Sequence, residues 1–236
     1  TARSVAAATG FFTAMGAAAA LVSLSAISEF VPLLPLARRR NALLLALAGF
    51  VVGALLIAMD VGNPINLWRI LTAGRFTSLM TWDFLALLVT GLLTLIYLIA
   101  GWKEDGSTGG TRLWGVLAMI AATLLVVVEG WMLATLSSHP LWHGGLTVVN
   151  FLALALVAGL AVAIMAWKET ISKLTGFLAA GLWVTLGLLL VEVLTVLIDS
   201  TVRPAPEVAL SLSGGVGGWL QIYFIVGLVL PLASLY

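Results

Sequence analysis

The 236-residue sequence contains no cysteine, two histidines and only 9% charged residues. Without cysteine there is no disulfide scaffold, no cysteine-ligated zinc site and no iron–sulfur cluster held by this chain. The histidines, His139 and His143, both fall in a break between apolar runs. A membrane cytochrome b needs a pair of axial histidines per haem inside its helices, so the chain is expected to be haem-free. Charge is equally scarce. A soluble domain carries about 25% charged residues, and this chain cannot cover a water-facing surface, which excludes a soluble globular fold. Its net charge of +1 leaves no basic footprint for nucleic acid.

What the sequence does have is apolar length: 62% of its residues are hydrophobic and the mean hydropathy is +1.17. At about 20 residues per span that composition supports roughly seven transmembrane helices. The spans read as 5–29, 41–59, 80–102, 113–136, 145–167, 174–198 and 215–236. They are continuous runs of Leu, Val and Ala without period-two alternation, which disfavours a β-barrel. The expectation is an all-α polytopic integral membrane protein of about seven to eight helices, forming one transmembrane domain over 1–236. Pro32 and Pro35, the Gly62-Asn63-Pro64 turn, the polar stretch from Lys103 to Gly110, and Pro204 with Pro206 punctuate the breaks. The first run is too long and too poor in basic residues for a signal peptide and reads as a true span. Gly16 to Ala20 and the Gly49–Gly53 pair suit close helix packing. The opening threonine and the apolar final run suggest a segment of a longer chain.

Basic residues set the orientation. One side carries seven of them: Arg38, Arg39, Arg40, Lys103, Arg112, Lys168 and Lys173. The other carries four: Arg3, Arg69, Arg75 and Arg203. The richer side is expected to be cytoplasmic, which leaves the N-terminus outside an inner, cytoplasmic membrane. Arg38 to Arg40 read as a stop signal for the first span, with a lipid-binding patch as the competing reading.

An ionisable residue within a span is a functional candidate by default. Glu129 is the strongest, well inside the fourth span in Val-Val-Val-Glu-Gly-Trp. An ionised carboxylate there is costly, so a neutral or proton-sharing carboxyl is expected. It acts either as proton donor and acceptor to a bound redox molecule or as a hydrogen-bonded packing element. Glu192 in the sixth span reads more simply as structural. Asp60 and Asp83 border the interface, where capping or pairing with Arg69 or Arg75 is the plainer role. Glu29 closes the first span and Asp199 ends the sixth. His139 and His143 read as an interfacial pair, with outward-facing proton exchange as the alternative. No third ligand lies close enough in sequence to suggest a metal site. Trp102, Trp114, Trp142 and Trp167 fit an aromatic belt. Trp68, Trp82, Trp131 and Trp219 fall in the outward half, where some could flank a flat ring.

The segment Asp60-Val-Gly-Asn-Pro64, Leu67-Trp68-Arg69, then Thr77-Ser78-Leu79-Met80-Thr81-Trp82 is more specific. It resembles the NrfD-like family of membrane subunits, which includes the polysulfide reductase anchor. That family shows Asp-Leu-Gly-Arg-Pro, an aromatic residue, and Ser-x-Met-Ser/Thr-Trp opening the next span. Gly130 with Leu133, and Pro140-Leu141-Trp142, extend the likeness over the first five spans. Asn63 replaces the family arginine, and Val128-Glu129-Gly130 stands where many relatives have Tyr-Ser-Gly.

The resemblance implies a haem-free membrane anchor of a respiratory oxidoreductase complex. It would bind a quinone or quinol, menaquinone included, in the first four-helix bundle near the outward face. Electrons would pass to or from an iron–sulfur partner docked there, with a molybdopterin catalytic subunit or cytochromes completing the complex. A quinone is flat and apolar with two carbonyl oxygens, and needs a lipid-accessible slot, polar partners and a proton route. On this reading Glu129, Asp60 and Asp83 handle protons, and Trp82, Trp131, Trp68, His139, His143 and Arg69 contact the ring. The chain would not be catalytic alone. The competing function is a proton-translocating or transporter subunit using buried Glu129 and Glu192; a third is a purely structural anchor.

Overall fold

In the computed structural model, the structure describes residues 2–60, 78–103, 108–135, 145–167 and 171–202. These form six helices and, among the described residues, no strand: α1 Ala2–Ile27, α2 Leu36–Asp60, α3 Leu79–Lys103, α4 Gly109–Ala134, α5 Gly145–Ala166 and α6 Ile171–Val202. Each contains a stretch long and apolar enough to cross a bilayer. The chain is a multi-pass, all-helical membrane protein. The expected seventh span, 215–236, lies outside the described residues.

Two helix starts come a full turn or more before the apolar runs. α2 opens at Leu36, not near 41, so Arg38, Arg39 and Arg40 occupy its first turns instead of the preceding break. Proline is tolerated where a helix begins, and the Pro35 carbonyl accepts the Arg38 and Arg39 amides at 2.9 and 3.0 Å. α4 opens at Gly109, not 113, because Thr108 and Thr111 cap each other's backbone reciprocally.

Small residues fix the helix contacts. A Cβ at Gly49 would meet Ala18, and one at Gly53 would meet the Met15 side chain, so α2 runs antiparallel against α1. A Cβ at Gly16 would meet Ala155, and one at Gly159 would collide with Ala20, so α5 runs parallel to α1. The expected close packing of the Gly16–Ala20 stretch is therefore directed at α5 as well as α2. A T-shaped Phe12–Phe151 pair, centroids 5.7 Å apart, adds to the α1–α5 contact.

α1 packs on α2, α2 on α3, α3 on α4, and α4 returns to α1, closing a four-helix ring. α5 packs outside it against α1 and α4, and α6 packs on α5. The alternation gathers Arg38, Arg39, Arg40, Lys103, Arg112 and Lys173 at one end of the bundle, here the basic end. The opposite end holds the start of α3 and the ends of α2 and α4.

Candidate functional site

α3 and α4 form a tight antiparallel hairpin. Tyr97 lies against Gly115, where an added Cβ would sit 3.2 Å from the ring. The same offset sets Thr94 opposite Ala118, Thr90 opposite Ala122, Leu87 opposite Leu125, and Asp83 opposite Glu129. On each helix these positions alternate by three and four residues, the spacing of one face. Both faces are buried: Thr90, Thr94, Ala118, Ala122, Leu125 and Glu129 are all 0% exposed, Tyr97 1% and Asp83 6%.

Glu129 and Asp83 thus come together across the seam, at the end of the bundle away from the arginines, and lie within electrostatic reach of each other. Both Glu129 oxygens and Oδ1 of Asp83 are buried without a hydrogen-bond partner among the described residues. Glu129 lies five residues before the end of α4, about 8 Å of helix. Asp83 differs from its expected interfacial role. α3 begins at Leu79, so Asp83 falls in the second turn, on the face turned to α4, and is buried instead of capping a helix end. Buried polar atoms are nearly always satisfied, and a cluster of orphaned oxygens calls for water or a ligand. Its chemistry is specific: a carboxylate accepts a hydrogen bond from a hydroxyl, and a protonated carboxyl donates one to a carbonyl.

Around this end α5 supplies further buried polar groups. A Cβ at Gly130 would sit 3.1 Å from the Val148 backbone, so the start of α5 packs closely beside Glu129. Thr147 and Asn150 are buried on that stretch. Neither stood out in the sequence, where both look like ordinary polar residues near a span end.

The basic end is arranged differently. Glu29 is paired with Arg39 at 2.6 Å. The Tyr97 hydroxyl donates to Glu29 at 2.8 Å and lies 3.0 Å from the Ser25 carbonyl. The Thr111 hydroxyl lies 3.5 Å from the second Glu29 oxygen. Arg40 donates to the Gly101 carbonyl at 3.0 Å and stacks on Trp102, 5.9 Å from the ring centroid. Arg112 similarly covers Phe30. Arg39 and Arg40 therefore tie the start of α2 to the chain after α1 and to the end of α3.

The remaining expected site residues divide. Trp82 and Trp131 are 51% and 57% exposed. They lie on the outer faces of α3 and α4 and do not enclose the buried carboxyls. Asp60 ends α2 at the same end of the bundle as Glu129, and Glu192 falls in α6; the side chains of both are outside the described set. Trp68, Arg69, His139 and His143 lie outside the described residues. No cluster of three or more potential metal ligands occurs among the described residues.

The architecture defines a polytopic membrane protein with a closed four-helix ring and a desolvated carboxyl pair at one end. The family model for polysulphide reductase, NrfD, matches residues 4–235, and the chain belongs to that family. It is also similar to a membrane subunit of a putative dimethyl sulfoxide reductase from Halobacterium salinarum. The two are 32% identical over 141 residues, covering 51% of this chain and 32% of the relative. The match thus spans about a third of that curated relative's length. No solved structure matches the chain.

Proposed function

We propose that the chain is the quinone-reactive anchor of an oxidoreductase complex in the cytoplasmic membrane, with Glu129 as the principal proton-handling group and Asp83 beside it. The observation that carries this reading is the Glu129–Asp83 pair: three buried carboxyl oxygens without partners, on facing helices of one seam. Membership of the polysulphide reductase family and the similarity to a dimethyl sulfoxide reductase membrane subunit supply the context of a reductase complex.

The donor set fits the ligand class. A quinol hydroxyl donates to a carboxylate, and a quinone carbonyl accepts from a protonated carboxyl. When bound, the quinone supplies a two-electron, two-proton couple that no side chain of this chain offers. Glu129 then accepts or returns a proton at a carboxyl oxygen. Asp83, on the facing helix, makes a second negative charge beside Glu129 unfavourable. The low dielectric of the seam strengthens each hydrogen bond made to the ring oxygens. Asp60, with Trp68, Arg69, His139 and His143 from the segments between the helices in sequence, completes the proposed site. Trp82 and Trp131 take the outer, lipid-facing approach to it.

The basic end faces the cytoplasm by the positive-inside rule. The carboxyl end then faces outward, where an iron–sulfur subunit would dock and pass electrons to a molybdopterin subunit or a cytochrome. The test is quinol oxidation or quinone reduction by the intact complex, with and without a quinone-site inhibitor. Inhibitor-sensitive turnover that collapses in Glu129→Gln is the expected result. A Glu129→Gln complex that assembles and turns over normally would exclude the proposed role.

A further inference from the structure

Thr90 and Thr94 differ from four other buried or partly buried hydroxyls of the bundle. Ser23, Ser25, Ser28 and Thr185 each donate to the carbonyl four residues earlier, at 2.7 to 3.0 Å. That is the default for a hydroxyl in an apolar helix. The Thr90 and Thr94 hydroxyls are fully buried and have no hydrogen-bond partner among the described residues. Across the seam they face the two smallest side chains of that α4 face, Ala122 and Ala118. One helical turn beyond Thr94 is Tyr97, whose hydroxyl is already bonded to Glu29, itself paired with Arg39 at the basic end. In the other direction, a single apolar layer, Leu87 with Leu125, separates Thr90 from Asp83 and Glu129.

We infer that the α3–α4 seam holds internal waters on Thr90 and Thr94, and that these, with Tyr97 and Glu29, form a proton half-pathway from the basic end of the bundle to the Leu87–Leu125 layer beneath Glu129. A buried hydroxyl without a partner among the described residues requires water to be satisfied, and the residue opposite each is only an alanine. Thr90, Thr94 and Tyr97 lie on one face over seven residues, about 10 Å of helix. Two or three waters bridge that length at hydrogen-bond spacing of about 2.8 Å. Each hydroxyl and water along it both donates and accepts, which stepwise proton transfer requires, and the Glu29 carboxylate accepts at its basic end. The Leu87–Leu125 layer stops the file one layer short of the carboxyls, so passage depends on a local rearrangement there. The water file stands without the quinone reading; its use as a proton supply to Glu129 rests on it.

The test has two parts on the intact complex. First, pulsed X-ray radiolysis in isotopically labelled water turns bound water into hydroxyl radicals that mark the side chains beside it. Strong labelling of Tyr97, although it is buried, and its loss in the isosteric double variant Thr90→Val/Thr94→Val, is expected. Unlabelled Tyr97 in the parent, or equal labelling in parent and variant, would overturn the inference whatever the complex does with quinones. Second, in liposomes, the side on which turnover takes up or releases protons is read with pH dyes. Proton exchange on the basic-end side, with turnover lowered at least fivefold in the double variant and quinol KM unchanged, supports conduction. Exchange confined to the carboxyl-end side refutes it. Tyr97 labelling in a complex indifferent to quinol would leave the water file standing and count against the quinone reading alone.

Discussion

The two ends of the four-helix ring bury acidic groups in opposite ways. At the basic end, Glu29 is held by Arg39, Tyr97 and Thr111, from three further helices. At the other end, Glu129 is more deeply buried and has no hydrogen-bond partner on either oxygen. Desolvating a carboxyl costs several kcal/mol unless hydrogen bonds or a countercharge offset it. Glu29 has that compensation built in, so its burial serves the fold. Glu129 does not, so the fold carries it at a cost in stability, and such a cost is typical of a site whose partner arrives from outside. Satisfaction, more than depth, separates the structural acid from the functional one.

The largest effect should come from removing the compensated acid, Glu29. Glu29→Leu leaves Arg39 uncompensated in a largely buried position and removes one of the two acceptors of Tyr97. Losing one partner of a buried pair costs about 3–5 kcal/mol. Thermal unfolding of the purified complex in detergent should show the loss as a marked fall in Tm. The matching change at the other end sharpens the contrast. Glu129→Leu removes two orphaned oxygens and fills their place with apolar volume, which is often neutral or stabilising. It should leave Tm level or higher while turnover with quinol falls about 100-fold, the scale of a lost proton-transfer group. A Glu129→Leu protein that unfolds as readily as Glu29→Leu would erase the distinction between the ends.

Much of this contrast could be read from the chain, and the parts that could not have a common cause. The helices follow from uninterrupted apolar runs, because a bilayer demands about 20 such residues at a time. The meeting of Asp83 and Glu129 was within reach, since the two lie at equal distances from the short loop joining α3 and α4. The Glu29 network was not. Tyr97 and Glu29 stand 68 residues apart, and only the packed ring brings them into contact. Thr90 and Thr94 looked like tolerated polar residues in an apolar span. Their spacing with Asp83 and Tyr97 on one helix face was the available signal. Trp82 and Trp131 stand apart from the buried carboxyls for a local reason. Successive helix positions turn by about 100°, so a tryptophan next to inward-facing Asp83 points outward, and one two residues past Glu129 points almost directly away from it.

The smallest effect concerns the rim of the basic end. Arg40 bonds the Gly101 carbonyl and covers Trp102, tying α2 to the end of α3. Both contacts sit where Trp102 is 58% exposed, so solvent and headgroups screen them. A cation–π contact at such a site contributes about 0.5–1 kcal/mol. Removing the side chain in Arg40→Ala should lower Tm only slightly and leave quinol turnover intact. Arg40→Lys should recover part of the ring contact but not the directed bond from Nε, since an ammonium lacks the planar fork. If Arg40→Ala were instead as damaging as Glu29→Leu, the basic end would owe its stability to the α2–α3 rim and not to the buried Glu29 cluster. The comparison of satisfied with unsatisfied acids would then need a different structural partner for Glu129.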